Sequence, residues 1–142
     1  MRKRILMIAL PLAALILEML PYGAVCIFAL DKGQRLRQTF SYFDLTPFGY
    51  ANFGPFITAL LTCILLGLAV IYVLKPGKRM NTAIRTVSGF AVAAAYAPLM
   101  LGVSFMSVIG LFVGLLLAAV FGVSFISENS LQQKTEMRDS DQ

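Results

Sequence analysis

Histidine and tryptophan are both absent from this chain. The missing histidine removes the side chain that most often serves as a general base and as a metal ligand. The two acids that could form a catalytic pair, Glu18 and Asp44, are predicted to lie about half a bilayer apart. Because no nucleophile–base set can be assembled either, we predict no enzymatic activity, no cofactor and no metal site.

Cysteine is scarce, and neither thiol is predicted to pair. Cys26 and Cys63 lie inside separate apolar runs, at predicted depths that differ by about 6 Å. A disulfide needs Cα atoms within about 7 Å and a matching orientation, which such an offset disfavours. We therefore predict two buried, inert thiols.

Charge is also scarce: of 142 residues, 58% are hydrophobic and only 13% are charged. This composition is typical of membrane proteins. The net charge of +5 comes from short basic clusters beside apolar runs, a pattern of membrane orientation and not of phosphate recognition. The predicted partner is the lipid bilayer, and nucleic acid is not predicted to bind.

Residues 86–127 contain no charged side chain. One bilayer crossing needs about 20 apolar residues, so this stretch predicts two helices, over 82–101 and 103–126. The residues near its middle that suit a turn are Pro98, Gly102, Ser104 and Ser107. An earlier charge-free run predicts another helix over 55–74, with Pro55 in its first turn.

The basic N-terminus precedes an apolar run over residues 5–30. A cleaved secretory signal and a retained, kinked membrane helix both fit its start. We favour the retained helix over 5–30, because apolar chain resumes after Gly23. The remaining predictions are a cytoplasmic turn over 75–82, with Asn81 or Thr82 as helix cap, and a disordered polar tail over 127–142.

The segment 31–54 is predicted to be an aromatic-rich loop at the membrane surface, where aromatic rings are favoured. It either caps the bundle or binds a ligand or partner. Its candidate interaction residues are Phe40, Tyr42, Phe43, Asp44, Phe48, Tyr50 and Phe53. With four crossings, nine Lys and Arg residues lie on the side of both termini and three on the loop side. The predicted fold is therefore all-α, with four transmembrane helices, both termini in the cytoplasm and the loop outside.

Small residues recur four apart in every predicted crossing, most clearly at Gly110, Gly114, Ala118 and Gly122. Such a face lets helix backbones approach closely in lipid, where no hydrophobic force drives helices together. It either packs within one chain or forms the contact of a homodimer.

Glu18 is the one ionisable residue inside the first apolar run. An acid at the bilayer centre costs about 3 kcal/mol even on insertion scales, and is by default a functional candidate. One hypothesis is proton coupling. The structural alternatives are a neutral side chain or a hydrogen bond across the bundle to Ser, Thr or Tyr. A helix ending near Tyr22 would instead place Glu18 at the outer interface, with no need of a partner.

Two resemblances bear on function. Length, helix count and an acid in the first helix resemble the small multidrug-resistance transporters, but the missing tryptophan and the long loop over 31–54 depart from that family. Residues 20–25 (LPYGAV) and 41–55 (SYFDLTPFGYANFGP), continuing to Cys63, resemble uncharacterised four-helix membrane proteins of Gram-positive bacteria. The second resemblance implies a bacterial cytoplasmic membrane and no particular activity.

The leading hypothesis is a non-enzymatic assembly, accessory or interaction subunit, which binds another membrane protein or a second copy of itself. The alternative is a small proton-linked transporter or channel subunit that acts as a dimer through Glu18. The scarcity of polar residues in the crossings favours the first hypothesis, because transport needs polar groups near the midplane.

Overall fold

The computed structural model describes residues 2–29, 35–44, 53–102 and 106–140. These residues form four helices, α1 (Arg2–Met19), α2 (Phe53–Leu74), α3 (Lys78–Leu101) and α4 (Val108–Ser140), and two strands, β1 (Ala24–Ala29) and β2 (Arg35–Phe40). Three helical stretches are long and apolar enough to cross a membrane: Phe53–Leu74, Lys78–Met100 and Val108–Ser127. The prediction of a four-helix, membrane-type fold is confirmed at this level.

The helices pack in a ring, in which α1 contacts α2 and α4, and α3 contacts α2 and α4. The short α2–α3 connection makes these two helices antiparallel. Each helix buries one stripe of residues spaced three and four apart, as expected for a bundle. In α3 this stripe consists of Asn81, Ile84, Ser88, Ala91, Ala95 and Pro98. We call the end of the bundle with the β-hairpin the hairpin end, and the end with the α2–α3 connection the turn end.

The helix predicted over 5–30 ends at Met19, so this prediction is wrong beyond that residue. Pro21 and Gly23 follow α1 and disfavour continuation of the helix, and Ala24–Ala29 forms β1. This strand pairs antiparallel with β2, with Val25 opposite Thr39. A six-residue apolar run bounded by Pro and Gly suits a strand as well as a helix, and hydrophobicity alone does not distinguish the two. The hairpin also takes up part of the predicted loop 31–54.

The cysteines lie in different elements of the fold. Cys26 is buried in β1, whereas Cys63 is exposed on α2, and no disulfide joins them. The prediction of burial is therefore confirmed for Cys26 and wrong for Cys63.

The N-terminus of α3 also differs from the prediction. The helix begins at Lys78, and Gly77 is its extended N-cap, without a side-chain hydrogen bond. Asn81, a predicted cap, instead donates its side-chain N–H to the Ser124 carbonyl oxygen at 3.0 Å. Thr82, the other predicted cap, donates to the Lys78 carbonyl oxygen at 3.1 Å. Both capping predictions are wrong because these side chains serve partners inside the bundle and the first helical turn.

Two of the predicted turn residues shape the α3–α4 connection. Gly102 is the C-cap of α3 with φ of 130°, a conformation that glycine adopts without steric strain. The Ser107 hydroxyl accepts the Gly110 N–H at 2.8 Å and so caps α4. Pro98 lies inside α3 instead, and Ser104 lies outside the described residues. Helix α4 consequently begins at 108 and not at the predicted 103.

The tail predicted to be disordered continues α4 to Ser140. After Gly122 the sequence of α4 has no Gly or Pro, and it is rich in Glu, Gln, Lys and other good helix formers. A helix that is already nucleated extends at little cost. The low hydrophobicity of the tail therefore does not end α4.

Candidate functional site

Glu18 lies on the buried stripe of α1, after Met7, Pro11 and Ala14. Its side chain is 0% exposed. Although α1 ends one residue later, the chain folds back over it, and the Tyr42 N–H donates to the Glu18 carbonyl oxygen at 3.0 Å. Helix α1 does end near Tyr22, as one interpretation required, but the part of that interpretation that gave Glu18 no need of a partner is wrong.

The Glu18 carboxyl is hydrogen-bonded across the bundle, as one of the sequence-based interpretations predicted. The Thr62 hydroxyl lies 2.8 Å from Glu18 Oε1, to which it donates, and 2.9 Å from the Thr58 carbonyl oxygen. Since a hydroxyl has one hydrogen, these two acceptors compete for it. Glu18 Oε2 is buried and accepts no hydrogen bond from the described residues. The site thus contains one buried carboxyl oxygen that is available to a proton or another donor.

A cavity of about 280 Å³ is lined by Leu15, Met19, Ser41, Phe43 and Cys63, and Glu18 is not among the lining residues. Met19 follows Glu18 in the chain and Cys63 follows Thr62, so the cavity borders the α1–α2 contact. Two lining residues, Ser41 and Phe43, belong to the turn over 41–44, in which the Phe43 N–H donates to the Ser41 hydroxyl at 3.0 Å. The lining offers one hydroxyl and one thiol among apolar side chains, which suits an apolar occupant more than a polar one.

Tyr42 joins the hairpin to α4. A Cβ atom at Gly23 would lie 2.8 Å from Tyr42 Cδ1, and one at Gly110 would lie 2.9 Å from the Tyr42 hydroxyl. Ser107 reinforces this junction by donating to the Gly23 carbonyl oxygen. Burial, and then the neighbouring Glu18 carboxyl, raises the pKa of the Tyr42 phenol, so it keeps its proton. The two glycines are required here by close approach of the tyrosine ring.

The four small residues of α4 do not share one environment. Gly110 and Gly114 are buried, Ala118 is half-buried and Gly122 is exposed. At Gly114 a Cβ atom would lie 2.7 Å from Tyr96 Cζ, whereas at Gly122 it would meet nothing within 4 Å. Steps of four residues advance about 40° beyond a full turn, so the stripe rotates out of the interface. Packing within one chain therefore accounts for the small residues at Gly110 and Gly114.

The candidate loop residues are not gathered into one surface. Tyr42 is buried and Phe40 is half-buried, whereas Phe43, Asp44 and Phe53 are exposed. Phe53 begins α2. Phe48 and Tyr50 lie outside the described residues.

A second polar layer at the turn end was not predicted from the sequence. The hydroxyls of Tyr72 and Ser127 lie 2.8 Å apart, and Asn81 bonds to the Ser124 carbonyl oxygen. These residues fall on the three-and-four stripes of their helices, which is the signal that could have identified them. Between the two layers the buried residues are mainly apolar, including Leu65, Ala69, Ala91, Val113, Leu117 and Val120.

No cluster of three His, Cys, Asp or Glu residues that could hold a metal ion occurs in the part of the chain that the structure describes. Comparisons with models of protein families, with curated proteins and with solved structures found no match to this chain. Its function is therefore inferred from its own geometry.

Proposed function

We propose that this chain is a multi-pass protein of a bacterial cytoplasmic membrane that acts as a non-enzymatic assembly, accessory or interaction subunit. In this proposal α1 is the fourth crossing, because its 18 residues span about 27 Å and it packs against two membrane-type helices. The distribution of Lys and Arg supports cytoplasmic termini. The resemblance of residues 20–25 and 41–63 to membrane proteins of Gram-positive bacteria supports the location.

The observation that carries this proposal is the separation of the two polar layers. The Glu18–Thr62 pair lies at the hairpin end, and the Tyr72–Ser127 pair lies at the turn end. The one buried hydroxyl of the α3 stripe between them, Ser88, bonds to the Arg85 carbonyl oxygen of its own helix. A transport path needs polar groups near the midplane, and the apolar middle of this bundle does not provide them.

The surface that fits a protein partner is the outer side of the hairpin. Four consecutive residues of β2, Leu36, Arg37, Gln38 and Thr39, are exposed, and so is Phe43. In the described sheet β2 pairs with β1 alone, which leaves it at a sheet edge. An edge strand with exposed apolar side chains is a site at which another chain can add a strand.

The test measures the mass of the complex that the native protein forms after mild detergent extraction. We expect a defined complex larger than the monomer, which Leu36→Lys abolishes. The matched control is Leu74→Lys, because Leu74 is also exposed but lies at the turn end beside Lys75. Recovery of the wild-type chain as a monomer, or equal effects of both substitutions, would contradict the proposal.

The membrane orientation is tested separately with reporter fusions. A reporter after Gln142 should be active only in its cytoplasmic form, and one inserted within residues 30–34 only in its external form. Activity of the external form at the C-terminus would reject the proposed orientation, and activity of the external form at both positions would reject three crossings between them.

A proton-linked transporter or channel subunit remains the second candidate, and a specific observation favours it. Glu18 Oε2 is buried without a hydrogen-bond partner among the described residues. In this case a second copy of the chain would supply the polar groups that a transport path needs near the midplane. In proteoliposomes, a pH-dependent flux that Glu18→Gln abolishes would support this candidate, whereas absence of flux in the wild-type protein would remove it.

A further inference from the structure

The strand β2 has an outer edge that no other strand of the described residues pairs with. Leu36, Arg37, Gln38 and Thr39 are consecutive and exposed. Since successive side chains of a strand point to opposite faces, neither face of β2 is buried at these positions. In the described sheet its one neighbour is β1. Because alternate residues of an antiparallel strand direct their N–H and C=O groups away from the paired neighbour, the outer edge offers backbone donors and acceptors to an added strand.

The inner strand β1 holds the hairpin on the bundle. Val25 is 2% exposed, and Ala24 packs against the buried core. The residue opposite Val25 in the sheet, Thr39, is exposed. β1 therefore lies toward the helices and β2 away from them, so a strand that adds beside β2 displaces no helix contact of the hairpin.

The outer strand belongs to a segment of one charge sign. Residues 32–43 contain three basic residues and no acidic one. In the register of the hairpin, Arg35 stands opposite Ala29 and Arg37 stands opposite Ile27, and no residue of β1 is charged. The sheet therefore places no opposite charge across from either arginine position.

The acidic side chains that the structure describes at the hairpin end have other partners. Glu18 is 0% exposed and bonds to Thr62. Asp44 Oδ2 accepts the Ser41 N–H at 3.1 Å, within the turn that follows β2. Asp31 lies outside the described residues. An acidic side chain brought by another molecule would therefore complement the positive charge of β2.

We propose that the outer edge of β2 binds an extended acidic segment of a partner protein, which adds to the sheet as a third strand. The segment places Asp or Glu beside Arg37, since the guanidinium fork matches a carboxylate, and an apolar side chain beside Leu36 on the opposite face. Its expected sequence therefore alternates acidic and apolar residues. The inference rests on the proposed interaction role and names the chemistry of the partner.

Two other occupants fit this edge less well. Antiparallel pairing of two β2 strands would bring the basic residues of both copies together, and like charges on neighbouring strands are destabilising. An anionic lipid surface matches the charge, but it cannot continue the ladder of backbone hydrogen bonds. A peptide segment satisfies both the charge and the strand edge.

The experiment titrates the full chain in a nonionic detergent with fluorescent octapeptides that alternate valine with glutamate or valine with glutamine. We expect the glutamate peptide to bind about tenfold more tightly, the equivalent of one charge-assisted contact. Arg37→Gln should remove this preference, while Lys75→Gln, which changes an exposed basic residue at the turn end, should preserve it. Equal affinities of the two peptides for the wild-type chain, or an unchanged preference in Arg37→Gln, would overturn the proposal.

Two N-methylated forms of the glutamate peptide test strand addition itself. One carries methyl groups on its valine nitrogens and the other on its glutamate nitrogens. Because a strand directs the N–H groups of alternate residues to opposite edges, one form should lose binding and the other should retain it. Equal affinities for the two forms would overturn strand addition.

The remaining outcomes separate this inference from the proposed function. A wild-type dimer that the glutamate peptide dissociates would overturn the inference, because a second copy would then occupy the edge. If the native chain forms its larger complex but binds both peptides equally, the acidic partner is rejected and the interaction role stands. Recovery of the native chain as a monomer instead rejects the interaction role itself.

Discussion

The two ends of the bundle are fastened in different ways. At the turn end, α2 and α3 are joined by a short connection, and neutral groups such as the Tyr72 and Ser127 hydroxyls pair between helices. At the hairpin end, a non-helical segment packs over the helices, and the central hydrogen bond joins Thr62 to the Glu18 carboxyl. The turn end relies on side chains of regular helices, whereas the hairpin end also needs glycines and an acid.

This difference indicates where substitutions are tolerated. A neutral hydroxyl pair leaves a weakly polar group behind when it is broken, whereas a buried carboxyl that loses its donor is costly. Close approach of an aromatic ring to a backbone also leaves no room for an added methyl group. The hairpin end should therefore be the more sensitive of the two, and substitutions of the same type at both ends test this expectation.

The largest effect is expected from Gly114→Leu. Its side chain would overlap the Tyr96 ring, which lies 2.7 Å from the position of a Cβ atom, and we expect a loss of about 3 kcal/mol or failure to fold. Gly122→Leu, nearer the turn end and in open space, is the control and should keep the wild-type melting temperature in detergent. Equal melting temperatures for both variants would show that the Gly114–Tyr96 contact is incidental.

The Tyr42 junction should give the next largest effect. Gly23→Ala places a methyl group 2.8 Å from Tyr42 Cδ1, and we expect a destabilisation of about 2 kcal/mol. Combining it with Tyr42→Ala in a double-mutant cycle should show strong non-additivity, because the second change removes the clash. Additive effects on the free energy of unfolding would mean that the two residues do not interact.

Thr62→Val tests the carboxyl itself. The substitution keeps the shape of the side chain but removes the donor to Glu18 Oε1, so both carboxyl oxygens would then lack a partner. We expect a loss of about 1 to 2 kcal/mol in the free energy of unfolding. The double variant with Glu18→Leu should recover part of this loss, because replacing both polar partners is less costly than leaving one of them buried without a hydrogen bond.

The smallest effect is expected from Tyr72→Phe at the turn end. It removes one of two neutral hydroxyls that lie 2.8 Å apart, and the expected loss is about 1 kcal/mol or less. Chemical unfolding under the same conditions as for Thr62→Val gives the direct comparison. If Tyr72→Phe proves more harmful than Thr62→Val, the ranking of the two ends is reversed.

The helices α2, α3 and α4 could be predicted because their charge-free runs are as long as a bilayer is thick. Gly102 and Ser107 could be identified as turn residues because their chemistry is local. Other features were missed because hydrophobicity alone does not distinguish a strand from a helix. Residues 24–29 are apolar enough for a helix, yet they pair with β2. The buried stripes of the helices repeat every three and four residues, while the small-residue pattern repeats every four.

By itself, the sequence determined that most of this chain forms apolar helices of membrane length, because length and polarity are local properties that need no partner. It also singled out Glu18 as an unusual residue. Only the tertiary structure decided that Thr62, 44 residues away, is its donor, that Tyr42 covers Gly23, and that Gly114 faces inward while Gly122 faces outward. These outcomes depend on helix rotation and on contacts between distant segments, which are set by the packing of the whole bundle.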